Sequence, residues 1–149
     1  MNKRFRDNGE LTSHFSDHWI IKCPSCTIPI DYFDLKIVCV SCGYNKEFKT
    51  PNDRFDFNVI TVPLENYLSI KSCGETLYAN NLDHLEFIES YVFADLRERL
   101  PNVNKSLASR LPQWMKNKKN REEILKDIKK LKTKLSQNKY TSRFKAYVA

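Results

Sequence analysis

Glycine is scarce in this chain, with three in 149 residues: Gly9, Gly43 and Gly74. A P-loop or a dinucleotide fingerprint needs several glycines within a few residues, because the backbone must approach a phosphate where a Cβ would stand. Neither motif can be written here, which removes nucleotide-dependent chemistry of those types. Long apolar runs are missing too. None nears the roughly 20 residues that cross a bilayer, and the opening MNKRFRDNGELTSHFSDHW has a basic start without the apolar stretch of a signal peptide. A cytoplasmic protein with no membrane partner is the expectation.

Histidine is equally sparse, at three residues, and neither HExxH nor GxSxG occurs. The fragment HLE at 84–86 has the H-x-E form of zinc deaminases, but the P-C-x-x-C that should follow is missing, since no cysteine lies beyond residue 73. His84 reads instead as a first-turn helix residue making a local hydrogen bond or touching a neighbouring hairpin. Carboxylate pairs such as Asp31/Asp34 and Asp53/Asp56 read as solvated charge. No catalytic set emerges, and neither an enzyme nor a small-molecule substrate is expected.

What is present is a core and a divided charge. Hydrophobic residues make up 41% and aromatics 12%, enough for packing in one domain with a small attached module. The net charge of +7 is unevenly spread: residues 1–96 carry 9 Lys/Arg and 14 Asp/Glu, whereas 97–149 carry 16 and 4. A basic end of this kind points to a polyanionic partner.

The first 18 residues lack any period and read as an irregular lead-in. From Trp19, runs of Ile, Val, Tyr and Phe flank two cysteine pairs and read as short strands. Pro51 in TPNDRFD ends that unit. In the next stretch SCGE (72–75) takes the turn of a hairpin. Asn81 then caps an amphipathic helix in which Leu82, Leu85, Ile88, Val92 and Leu96 recur until Pro101. Ser106 caps a shorter segment with Leu107, Leu111, Trp114 and Met115 on one side and a break at Pro112. The last helix starts at Asn120, with Glu123 in the capping-box position and Ile124, Ile128, Leu131 and Leu135 as its apolar stripe.

Cys23, Cys26, Cys39 and Cys42 form CxxC, twelve intervening residues, then CxxC. Zinc takes four ligands in a tetrahedron, and a CxxC turn folded back on itself presents two thiolates at the right separation. In a reducing compartment such pairs read as metal ligands sooner than as disulfides. Four thiolates complete the shell, so His14 and His18 are not needed as ligands. The segment 19–50 resembles the zinc-ribbon family, small β modules found in transcription factors, polymerase subunits and ribosomal proteins. The resemblance rests on the four cysteines, Pro24 in CPSC and Gly43 in CVSCGY; Thr27 departs from it where glycine is frequent. The downstream helices are similar to those of small uncharacterised bacterial zinc-ribbon proteins. One structural zinc is implied, with no open position for catalysis. The fifth cysteine, Cys73, reads as a turn or packing residue.

Two functional readings follow. In the first, Arg110, Lys116, Lys118, Lys119 and Arg121, extended by Lys126, Lys129 and Lys130 and joined by Trp114 as a stacking surface, bind the phosphates of DNA or RNA. Transcription or nucleic-acid processing is the implied setting. In the second, the ribbon and hairpin present Tyr32, Phe33 and Tyr44 to a protein partner, as an adaptor. The expected architecture is α+β: a lead-in over 1–18, an N-terminal β zinc ribbon over 19–50, a β-hairpin extension over 51–80, and a basic bundle of about three helices over 81–149.

Overall fold

The computed structural model describes residues 4–7, 15, 18–48, 64–94, 96–99, 106–138 and 140. Pro51, the Asp53/Asp56 pair, Pro101, His14 and residues 51–63 at the start of the hairpin extension lie outside the described residues. Within them the chain is α+β. Strands β1 (Arg4–Asp7), β2 (Trp19–Lys22), β3 (Pro29–Phe33), β4 (Lys36–Val38), β5 (Asn45–Glu47), β6 (Ser69–Ser72) and β7 (Glu75–Tyr78) precede helix α1 (Leu82–Phe93). Strand β8 (Leu96–Arg99), the short helices α2 (Leu107–Arg110) and α3 (Gln113–Lys116), a 3-10 turn (Lys118–Asn120) and helix α4 (Arg121–Gln137) follow.

Strands β2 to β5 form one antiparallel sheet in chain order, and β6 pairs with β7 alone. Two of the turns are two-residue hairpins whose central residues both have positive φ: Asp34 (52°) and Leu35 (59°), then Cys73 (53°) and Gly74 (77°). This backbone matches the right-handed twist of the strands it joins. SCGE is thus a hairpin turn, as the sequence implies.

Strand β2 holds the molecule together. Successive side chains of a strand point to opposite faces, and Ile20 and Ile21 enter different cores. Ile21 packs with Cys23, Ile30, Tyr32, Ile37, Cys39 and Phe48 inside the cysteine-bearing sheet. Ile20 packs into the larger core built from the β6–β7 hairpin and the helices. The free edge of β2 is covered by chain, not water: the N–H of Ile20 donates to the carbonyl of Asn80 at 2.7 Å, and the N–H of Lys22 to that of Glu65 at 2.9 Å. A further tie runs from Tyr140, whose hydroxyl donates to Asp31 on β3. Asp31 is buried at 3% exposure, which corrects the reading of it as solvated charge.

Helix α1 opens as expected, with the Asn81 side chain accepting from the N–H of His84 at 2.9 Å. Its end differs from the pattern, which ran on to Leu96. The helix stops at Phe93, Ala94 turns extended, and Leu96–Arg99 pairs in parallel with β1. Leu96 keeps helical spacing from Val92, so periodicity could not separate the two outcomes; the strand partner comes from the other end of the chain. That partner also corrects the lead-in, which contributes a strand at Arg4–Asp7. Phe5 on β1 is buried edge-on against Phe87 and Tyr91 of α1, with ring centroids at 5.4 and 5.2 Å.

The helical region has four α-helices among the described residues, because Pro112 divides the second expected helix into α2 and α3. Ser106 caps α2 through the N–H of Ser109 at 3.2 Å. In α4 the stripe Ile124, Ile128, Leu131 and Leu135 is buried as expected, and Asp127 with it. The capping box at its start does not form. Asn120 has helical φ and ψ and no side-chain cap bond; its amide instead donates to the carbonyl of Trp114 at 2.9 Å.

Candidate metal centre and basic helices

The two cysteine turns are near copies. In the first, the N–H of Thr27 donates to the carbonyl of Cys23 at 2.9 Å and the N–H of Cys23 to that of Ile28 at 2.8 Å. In the second, Gly43 donates to Cys39 and Cys39 to Tyr44, both at 2.8 Å. Each turn closes with a left-handed residue, Thr27 at φ 66° and Gly43 at φ 81°. Thr27 therefore takes the glycine conformation without being glycine, and its departure from the family pattern leaves the turn intact.

These turns face each other across the sheet and bring four sulfurs together, all within 4.8 Å of one another. Cys23 and Cys42 lie 3.6 Å apart, as do Cys26 and Cys39. A tetrahedron with metal–sulfur bonds of about 2.3 Å has sulfur–sulfur edges of about 3.8 Å, so the four cysteines are arranged to hold a metal ion. The separations are far beyond a disulfide bond, and all four cysteines are free thiols. In each turn the first cysteine is buried and the second reaches toward solvent. The N–H of Cys26 points at the Cys23 sulfur at 3.5 Å.

The thiols do not ionise equally. Cys42 is pulled down to about 6, first by a backbone N–H from Tyr44 and then by the sulfurs around it. For Cys26 the N–H of Ile28 pulls down, but burial and the three other sulfurs carry it up to about 12. Four thiolates confined to one small space need a compensating cation. His18 is not in the cluster; its carbonyl accepts from the Asn81 side chain at 2.9 Å instead.

The expected basic residues separate into two groups. Arg110, Lys118, Lys119, Lys126, Lys129 and Lys130 are exposed. On α4, Lys126, Lys129 and Lys130 stand opposite the buried stripe, as the spacing implies, and Lys130 reaches back to Asp127 at 3.5 Å. Lys116 and Arg121 are committed inside the fold. Lys116 donates to the carbonyl of Ser109 at 3.1 Å. Arg121 donates to the carbonyl of Ala94 at 3.0 Å, placing a cation at the C-terminal end of α1 where the helix dipole favours one. Trp114 is half-buried and packs against the larger core.

Tyr32, expected to face a protein partner, is 7% exposed and belongs to the core of the sheet, with Phe48 edge-on at 5.7 Å. Phe33 and Tyr44 are half-buried. The large exposed apolar side chains among the described residues are Val40, Tyr78 and Phe93.

Cys73 and His84 acquire definite surroundings. The Cys73 thiol donates to Glu123 at 3.0 Å, tying the hairpin turn to the start of α4. Burial and that carboxylate push the thiol up, the opposite of what a nucleophile needs. His84 is buried, its Nδ1 accepting from the N–H of Asn80 at 3.0 Å, with Phe15 stacked on it at 5.4 Å. Burial pulls its pKa down to about 4, so it is neutral at pH 7. The inward place of Asp127 was available in principle, since 124, 127, 128 and 131 share one helical face; the neighbourhood of His84 joins residues too distant in sequence to be read together.

Comparison of the chain with family models, curated proteins and solved structures finds no match in any of the three. What the site does is therefore argued from its own geometry.

Proposed function

We propose that this is a non-enzymatic zinc-ribbon protein that binds nucleic acid through the exposed basic face of its C-terminal helices. Zinc is the favoured ion because four thiolates in a tetrahedron suit it best, and a shell closed by four cysteines leaves no position for water or substrate. The zinc is then structural, and the cysteine sheet holds the helices in place through β2. The observation that carries the nucleic-acid reading is the exposure of Lys126 and Lys129 on α4 together with Lys118 and Lys119 at its approach. Each phosphate neutralised by such a cation releases counterions, which gives affinity without reading sequence.

The test is a titration of the zinc-loaded protein with single- and double-stranded DNA and RNA at low and moderate salt. Binding that falls steeply with salt supports the reading. Replacing Lys118, Lys119 and Lys126 together with Glu should abolish it with helicity intact, while unchanged affinity would remove these residues from the interface. Metal analysis should find one zinc per chain. An adaptor function draws on one observation, Val40 at 86% exposure on the second cysteine turn. A stoichiometric protein partner retained at high salt, and lost on Val40→Asp, would favour it.

A further inference from the structure

A cleft of about 320 Å³ opens between β7, α1 and the α2–α3 corner, lined among others by Tyr78, His84, Ile88, Leu107, Arg110 and Trp114. It lies on the helical body, and the metal site contributes nothing to its lining. Its volume is at the lower end of the range for small-ligand sites, room for one ring system and its substituents and too little for a folded segment.

Beside Thr76 and the Asn80 amide, four polar side chains that line this cleft are donors. With His84 Nδ1 accepting from Asn80, the proton of the neutral ring is on Nε2, a donor of fixed tautomer. His84 is 6% exposed, and among the described residues Nε2–H has no acceptor. The same holds for the Trp114 indole N–H, the Tyr78 hydroxyl and the Arg110 guanidinium, whereas the nearby Lys116 and Arg121 are each engaged by a carbonyl. None of the four is sealed off, since Tyr78 and Arg110 are exposed and Trp114 is half-buried, so each is open to a ligand that enters the cleft. Four donors around one apolar cleft define an occupant that is flat, largely apolar, rich in acceptors at its edge and anionic at one end.

We propose that the cleft receives one unstacked, carbonyl-bearing base of a single-stranded nucleic acid, with Tyr78 and Trp114 as aromatic surfaces, His84 Nε2–H donating to the base and Arg110 meeting the adjoining phosphate. Two residues of the basic region, Arg110 and Trp114, line it directly, and Lys118 follows Trp114 by four residues in the chain. The inference rests on the nucleic-acid reading and adds to it a preference for single strands, because the bases of a duplex are stacked and paired. A free pyrimidine nucleotide shares this chemistry and is the other source to distinguish.

The experiment uses the zinc-loaded full chain with three probes: oligo-dT of about ten nucleotides, an abasic oligomer of equal length, and thymidine monophosphate. Affinity is read by anisotropy or competition, and occupancy of the cleft by tryptophan fluorescence, with Trp114→Phe as control. The expected result is quenching by oligo-dT that disappears in Trp114→Phe, and affinity for oligo-dT on the order of ten-fold or more above the abasic strand. Arg110→Gln and His84→Gln should narrow that gap. Equal affinity for the two oligomers without quenching overturns the base site while leaving the basic surface standing. If neither oligomer binds, the basic surface fails and the monophosphate decides the cleft. Quenching of Trp114 by it makes the cleft a free-nucleotide site, and no quenching ends the proposal.

Discussion

Among the described residues, the cysteine-bearing sheet encloses seven buried side chains, two of them cysteines, whereas the hairpin and helices share eighteen, none of them a cysteine. The two regions differ in what can hold them. Eighteen buried apolar side chains give a core of ordinary kind, with α4 laid against α1 and β6. Seven give little on their own, as in other modules of this size, and a metal held by the four sulfurs would supply the missing stability. Yet they are not separable, since β2 supplies Ile20 to one core and Ile21 to the other. The smaller region is thus a stapled extension of the larger.

The largest effect expected of that contrast is on metal removal. Apparent binding energies of structural zinc run to about 10–16 kcal/mol, more than a module of this size has to spare. Chelation, or Cys39→Ser, should therefore abolish hydrogen-exchange protection in β3, β4 and β5 while α1 and α4 keep theirs. Simultaneous loss in both regions would make the molecule one cooperative unit. From the other side, Ile128→Ala removes a fully buried side chain of the larger core and should cost about 2–5 kcal/mol, measured as a lowered denaturation midpoint with zinc retained.

A smaller, pH-dependent effect belongs to the helical region. The pKa of His84 falls to about 4 in the fold against an ordinary 6.5, so between these values the unfolded chain binds the extra proton. Stability should then be undiminished above about pH 6.5 and decline as pH falls toward 4, by up to about 3 kcal/mol. Denaturant midpoints from pH 7 to 4.5 should show this slope in the native chain and a flatter one in His84→Gln; matching slopes would place the titration elsewhere. The smallest effect is in the cysteine sheet. Thr27 holds φ at 66°, a conformation that glycine adopts without cost, and Thr27→Gly should stabilise by about 0.5–1 kcal/mol. Gly43→Ala should act in the opposite sense, through φ alone, because nothing lies within 4 Å of a Cβ added there.

Much of this was legible in the sequence where the signal is local. The CxxC spacing placed the four sulfurs, SCGE placed a hairpin, Asn81 and Ser106 placed helix caps, and the stripe of α4 is buried residue for residue. Legibility failed where two distant segments compete for one. Leu96 fits a helix and is in a strand because β1 offers it a partner. Asn120 and Glu123 fit a capping box, but Trp114 takes the amide of one and Cys73 the carboxylate of the other. Arg121 looked like its basic neighbours and is a cap on α1. Tyr32 looked like a presented aromatic and is core.

The sequence by itself determined the four-cysteine cluster, the α+β class and the basic end, since each is written in spacing or composition along the chain. Only the tertiary structure decided which cations are free to act, that the cysteine sheet shares β2 with the helical core, and that Tyr78, His84, Arg110 and Trp114 border one cleft. Those facts depend on pairings across tens of residues. Loop closure and burial, not local propensity, set which pairings form.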